Sequence, residues 1–393
     1  PGVYRGPVTI ARRVTLFGPP EAIVRSDGHG TTLTVTAGGA QVLGLTIDGS
    51  GARYDQDDAA IAVRGASDVR IEAIRVVRAL FGVHVERARN VTIRGCDVEG
   101  VYGESLGLRG DGIKLWEVRD SLVLGNRVRG SRDLVVWYSP NNRLIGNLVV
   151  GGRYGAHMMY SSDVEVGHNR FVDDVVGTFV MYSRRVHVHD NILANAPDAS
   201  GMGLGVKDSG LVTVENNLFV RDRIGVYLDT SPLDPVDENS IRNNAFRLTD
   251  QAIVFHGRAA GNRIEDNLFK ANREQVVVEG GGDALAAQWL GNYFDDYEGY
   301  DLDGDGFGDL AYEERSLAAD LTRAHPQLAL LRGTPAMGIV DVLGSLVPLF
   351  APATLVRDPR PRVAEPRVGP RSDGWEPASR APTSRTPTSG TPG

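Results

Sequence analysis

Along residues 110–294, apolar and polar residues alternate in short runs, and the runs return at a nearly constant interval. One phrase marks the interval: VLGNRV (123–128), LIGNLV (144–149), VGHNRF (166–171), VHDNIL (188–193), VENNLF (214–219), IRNNAF (241–246), IEDNLF (264–269) and WLGNYF (289–294). Its asparagines, Asn126, Asn147, Asn169, Asn191, Asn217, Asn244, Asn267 and Asn292, are 21, 22, 22, 26, 27, 23 and 25 residues apart. Weaker copies precede them in LGLTID (43–48), IEAIRVV (71–77) and IRGCDV (93–98). Strand-like alternation with a period in the low twenties predicts an all-β solenoid, a single-stranded parallel β-helix with one coil per repeat. Each apolar column then stacks on itself at about 4.8 Å per rung, making a continuous core. Asn is expected in the turn, where it tolerates left-handed backbone and bonds locally, and its repetition implies an Asn ladder. These asparagines are therefore scaffold rather than chemistry.

A second strand precedes each Asn strand. Eleven residues before four successive asparagines stand Leu115, Val136, Met158 and Val180, and thirteen before stand Ile113, Leu134, Ala156 and Thr178. These mostly aliphatic columns, two apart, are expected to face the core. The intervening columns then face out: Trp116, Trp137, Met159 and Met181 at minus ten, and Lys114, Val135, His157 and Phe179 at minus twelve. Tyr138, Tyr160 and Tyr182 lie just beyond. A stripe of large apolar groups on an outer face marks an interaction surface. Two thioethers one rung apart, with an imidazole about 6.6 Å along the strand, also make a soft donor set that selects Cu(I). Met packs irregular space elsewhere, and a one-residue slip would exchange Met158 for Met159 as the outward ligand. His187 and His189 form a second choice of metal pair. Glu165 and Glu215 in matching columns make cross-strand ion pairs the simpler account of them.

Composition narrows the classes. The formal net charge is -8, with Lys and Arg dispersed, so the basic footprint of a nucleic-acid binder is missing. The single cysteine, Cys96, allows no intramolecular disulfide and no Cys-rich metal centre. In residues 301–309, DLDGDGFGD, Asp301, Asp303 and Asp305 followed by Gly306 match the first half of a calcium loop, with Asp309 at its ninth position. The twelfth position is Tyr312, so the bidentate Glu of a full loop is absent or displaced. The domain plan is a β-helix over 1–294, an Asp-rich loop at 295–315, a docking segment at 316–356 and a tail at 357–393. Within the docking segment, the apolar run 336–356 contains Asp341, Pro348 and Pro352, which argues for docking on a partner or membrane surface rather than spanning. Pro, Arg, Ser and Thr dominate the tail, which is expected to be disordered.

The coils GDGIKLW (110–116), RDLVVWYSPNNRLIGN (132–147), YGAHMMYSSDVEVGHNRF (154–171), VGTFVMYSRRVHVHDN (176–191) and GMGLGVKDSG (201–210) resemble the NosD family. The opening PGVYRGPVTIARRVTLFGP and the terminal GNYFDDYEGYDLDGDGFGD are similar too, so the resemblance covers roughly 1–350. The family comprises periplasmic β-helix accessory proteins of nitrous oxide reductase. The resemblance implies a non-enzymatic maturation factor, exported to the periplasm, with its signal peptide absent from this chain. It implies three partners: an ABC transporter with its ATPase and membrane subunits, a copper lipoprotein chaperone, and the reductase whose copper–sulfide centre is supplied. It also supports copper at His157, Met159 and Met181, and gives the 336–356 segment a job in docking on the transporter. Together with the crossover preference of parallel strands it implies a right-handed helix. Two rivals stand beside this reading. A polysaccharide lyase, hydrolase or epimerase on the same fold needs a convergent acid/base set. Its candidates Lys114, Lys207, Asp208 and Asp229 fall in different coils, and Asp111, Asp133 and Asp174 sit in Gly-containing bends where Asp is expected anyway. A metal-free scaffold would keep the Trp/Tyr/Met stripe as a partner surface.

Overall fold

A computed structural model describes residues 1–101, 105–279, 283–317, 321, 324–331, 334, 336, 339–340, 342–343 and 354–371. Three long sheets of 13, 12 and 12 strands run the length of the solenoid. Face A begins at Gly2–Arg5 and ends at Tyr293–Phe294. Face B runs from Val8–Ile10 to Glu274–Glu279, and face C from Thr15–Phe17 to Gln288–Leu290. Within each face a strand pairs in parallel with its equivalent one coil on. The β-helix is therefore present with the expected register. Val123, Leu144, Val166 and Val188 are fully buried on face C, and Leu115, Val136, Met158 and Val180 on face B. Near the C-terminal end the core becomes a column of rings. Phe219, Phe246, Phe269 and Phe294 stack with centroids 4.9, 5.0 and 4.9 Å apart, and Tyr312 closes the column at 3.8 Å.

The Asn ladder exists, but for a different reason from the one expected. The left-handed residue of each turn is the one before the ladder Asn: Gly125, Gly146, His168, Asp190, Asn216, Asn243, Asp266 and Gly291, with φ between 52° and 71°. The ladder asparagines themselves are buried, and each carboxamide oxygen serves the coil before it. The Asn169 Oδ1 accepts from the Asn147 backbone N–H at 2.8 Å and from its Nδ2–H at 3.0 Å, while the Asn169 Nδ2 donates to the Leu144 carbonyl at 2.8 Å. Each Asn thus satisfies backbone groups that the turn would otherwise bury unpaired. Cys96 takes the place of an Asn at the start, its N–H donating to Asn126 Oδ1 at 2.9 Å. Burial pushes its thiol up to about 12, so it is a packing residue.

The C-terminal extension also departs from expectation. Tyr312–Arg315 pairs antiparallel with Thr354–Asp358, and Leu355 and Val356 are buried. Asp358 ends the Asn ladder, its Oδ2 accepting from the Asn292 N–H at 2.9 Å and the Asn292 Nδ2–H at 2.8 Å. Residues 357–371, expected in the disordered tail, instead lie as a strap along the solenoid. Arg362 pairs with Asp266 at 2.6 Å, Glu365 with Arg247 at 2.8 Å and with Lys270, and the Arg371 N–H donates to Asp190 Oδ1 at 2.9 Å. Charge pairing with distant coils orders a segment whose composition alone reads as disordered. Most of the docking run 336–356 and all of 372–393 lie outside the described residues. Among the described residues no helix is long and apolar enough to cross a membrane.

Candidate functional site

Face B builds the site from Ile113–Arg119, Asp133–Trp137, Tyr154–Met159, Val176–Met181 and Met202–Lys207. Trp116, Trp137, Met159 and Met181 are successive Cα partners, and Lys207 continues the column. The order of the outward stripe is as the alternation predicts, and Met158, the alternative ligand, is corrected to a core residue with no exposure. A serine ladder holds the turn that follows. Ser139, Ser161, Ser183 and Ser209 each donate a backbone N–H to the Oγ of the next coil's serine at 2.9, 2.9, 3.0 and 3.1 Å.

Between strand and serine sit Tyr138, Tyr160 and Tyr182, all left-handed with φ of 52°, 51° and 49°. Their rings are exposed and stacked, with centroids 5.2 and 4.9 Å apart and planes within 14°. A bulky residue in this conformation costs about 1 kcal/mol or more, and an exposed ring recovers little of that by burial. Trp116 joins the column, 5.3 Å from Tyr138 and 5.8 Å from Trp137.

His157 faces outward yet is only 5% exposed. Tyr154 stands 4.6 Å from its ring, Trp137 5.2 Å and Phe179 6.2 Å, and these aromatics close over it. Its Nε2 lies 3.4 Å from the Met181 Sδ. Its Nδ1 is buried with no hydrogen-bond partner, 3.9 Å from Asp133 Oδ2. Burial lowers its pKa to about 4; the Asp133 charge works against this and Arg153 and Arg132 with it. At neutral pH the ring is therefore an uncharged imidazole, the form that ligates a metal. Arg153 pairs with Asp133 and stacks on Tyr154 at 4.4 Å, holding the aromatic wall in place.

The other expected sites separate clearly. His187 and His189 are carboxylate-paired: His187 Nε2 meets Glu215 Oε1 at 2.8 Å, and His189 meets Glu165 at 3.2 Å and Asp190 at 2.9 Å. Oxygens of Asp301, Asp303 and Asp305 lie within 4.8 Å of one another. Asp309 is not within that group; its Oδ2 accepts from the Leu302 N–H at 2.7 Å. Tyr312 fills the twelfth position because its ring closes the Phe column, with its hydroxyl on Asp296 at 3.2 Å. Lys207, Asp208 and Asp229, thought scattered, are neighbours: Lys207 pairs with Asp229 and is 3.8 Å from Asp208. Lys114 stands four coils before Lys207 on the same face, paired with Asp57 at 2.9 Å. Asp111 and Asp174 are buried and pushed well above the usual carboxylate range by that burial; Arg132 donates to Asp111 at 3.0 Å and the Gly152 N–H to Asp174 Oδ1 at 2.6 Å. Sequence reasoning missed Tyr154, which helps to bury His157, and Asp133, whose carboxylate faces the Nδ1 at 3.9 Å without a hydrogen bond; no period singles them out.

A rigid solenoid bearing a sheltered neutral imidazole, thioethers in register and an exposed aromatic column defines a binding scaffold with soft donors. The chain belongs to the NosD family: the family model described as periplasmic copper-binding protein (NosD) matches residues 100–299, which hold the whole stripe. A protein named probable ABC transporter binding protein NosD from Pseudomonas aeruginosa is 31% identical, over 94% of this chain and 88% of its own. One of the same name from Stutzerimonas stutzeri is 28% identical, over 96% and 89%. Among solved structures, the catalytic unit of a GH87 alpha-1,3-glucanase from Streptomyces thermodiastaticus superposes with a TM-score of 0.53 over 73% of this chain and 62% of its own. At 14% identity that likeness concerns the fold.

Proposed function

We propose that this protein is a non-enzymatic accessory factor of nitrous oxide reductase maturation. It receives Cu(I) at His157, Met159 and Met181 and hands it on for the copper–sulfide centre, working in the periplasm with an ABC transporter and a copper lipoprotein. The observation that carries the reading is the His157 Nε2 at 3.4 Å from the Met181 Sδ inside an aromatic wall. Imidazole and thioether are soft enough to prefer Cu(I), and two or three such donors suit cargo that must also leave. Trp116, Trp137, Tyr138, Tyr160 and Tyr182 beside it offer the partner surface, since exposed aromatics are the usual anchors of an interface. The acidic turn at Asp301, Asp303 and Asp305 is a separate, structural candidate for Ca²⁺, with Arg360 already paired to Asp305 at 2.6 Å.

The test is Cu(I) competition against a chromophoric chelator. The wild type is expected to hold about one Cu(I), and Met159→Ala/Met181→Ala to lose affinity by roughly 100-fold or more. Binding that survives the double substitution refutes the assignment of the stripe.

A further inference from the structure

Face C carries a second donor cluster, of different chemistry. His168 and Asp190 occupy the same turn position on neighbouring coils, each just before a ladder asparagine, with φ of 56° and 52°. His189 comes from the strand His187–His189, and its Cα pairs with Gly167, the residue next to His168. One nitrogen from each of the two rings and one Asp190 oxygen lie within 4.8 Å of one another. The rings stand edge to face, 5.3 Å apart at 87°.

Gly167 shows that the place of the His189 ring is reserved. A Cβ there would stand 2.5 Å from its Cε1 and 2.6 Å from its Nε2, so any side chain at 167 would expel the ring. Gly167 is not among the left-handed glycines, so its backbone does not demand glycine; the imidazole does. The supporting contacts are present as well. Glu165 Oε1 is 3.2 Å from His189 Nε2, and Asp190 Oδ2 is 2.9 Å from His189 Nδ1.

We propose that His168, His189 and Asp190 form a site for a borderline divalent ion, of which Zn²⁺ is the type, separate from the Cu(I) stripe. An ion taken on the Nδ1 side of His189 sits beside Asp190 and leaves Nε2–H donating to Glu165, the carboxylate–histidine–metal arrangement that fixes the tautomer. Two imidazoles and a carboxylate, with water in the fourth position, suit tetrahedral Zn²⁺ and lack the thioethers that hold Cu(I). Asp190 keeps Oδ1 for the Arg371 N–H at 2.9 Å, so the ion also ties down the end of the strap. The site does not depend on the copper reading and stands if that fails.

The experiment is a Zn²⁺ titration of the full chain against a chromophoric zinc chelator. One equivalent is expected for the wild type and for Met159→Ala/Met181→Ala alike. His168→Asn, which suits the left-handed turn, and His189→Gln are each expected to weaken it roughly 100-fold. Zn²⁺ should raise the thermal midpoint of the wild type and leave that of His168→Asn unmoved, which separates lost binding from lost folding. Absence of one-equivalent binding, or binding unchanged in both variants, overturns the site.

Discussion

Burial decides the state of His157 at neutral pH. Its pKa near 4 means that protons compete with metal for the ring only in acid, whereas an ordinary imidazole begins to compete near 6.5. Cu(I) affinity is therefore expected to stay level from pH 8 to 5 and fall below about pH 4, read by chelator competition at each pH. The same depression acts on stability, with a definite sign. Between pH 6.5 and 4 the unfolded chain takes up the proton and the folded one does not, so His157 contributes stability above 6.5 that is lost as pH falls through that window. Asp111, Asp174 and Asp222, raised by burial, act in the opposite sense, so the difference between wild type and His157→Gln is the quantity to measure. Urea midpoints of the two should converge as pH falls from 6.5 to 4. The outward placement of His157, Met159 and Met181 was legible because strand alternation has a period of two. Its burial was not, because Tyr154, Trp137 and Phe179 come from three different coils and close over the ring only through their side-chain conformations.

At the scale of the element, the coil is set by what its turns must satisfy. Asn169→Ala removes an acceptor for two donors and a donor to the Leu144 carbonyl, all buried. A loss of about 3 kcal/mol is expected, seen as a lower midpoint in urea unfolding. Asn147→Ala should behave alike, since the ladder repeats. The period of the asparagines was plain in the sequence, but their role was not: the column just before them, mixed as Gly, His, Asp and Asn, is the one that needs left-handed backbone. That mixture also concealed His168 and Asp190 as a pair, since turn chemistry alone accounts for either. The tyrosine column behaves differently. Asn suits the left-handed backbone of Tyr160 better than Tyr does, so Tyr160→Asn should leave the thermal midpoint within a few degrees. If the stacked rings are a partner surface, the same variant binds the transporter complex more weakly in a pull-down from detergent.

For the whole molecule, the solenoid could be laid out from its repeats, whereas the strap could not, because its order comes from Arg362 and Glu365 meeting charges about 100 residues earlier. Nothing local in a Pro- and Arg-rich segment announces such pairing. Removing the strap beyond Asp358 should leave the coils folded while raising hydrogen exchange along residues 243–270, measured by mass spectrometry. Asp358 itself has a larger consequence. Each of the last coils presents the next with strand edges, a ladder carboxamide and a ring, so nothing in that repeat says where stacking stops. One carboxylate on Asn292 and one phenol ring on Phe294 supply that instruction. A chain carrying Asp358→Ala and Tyr312→Ala presents a bare template at one end, and copies of it are expected to add head to tail into filaments that lengthen with concentration.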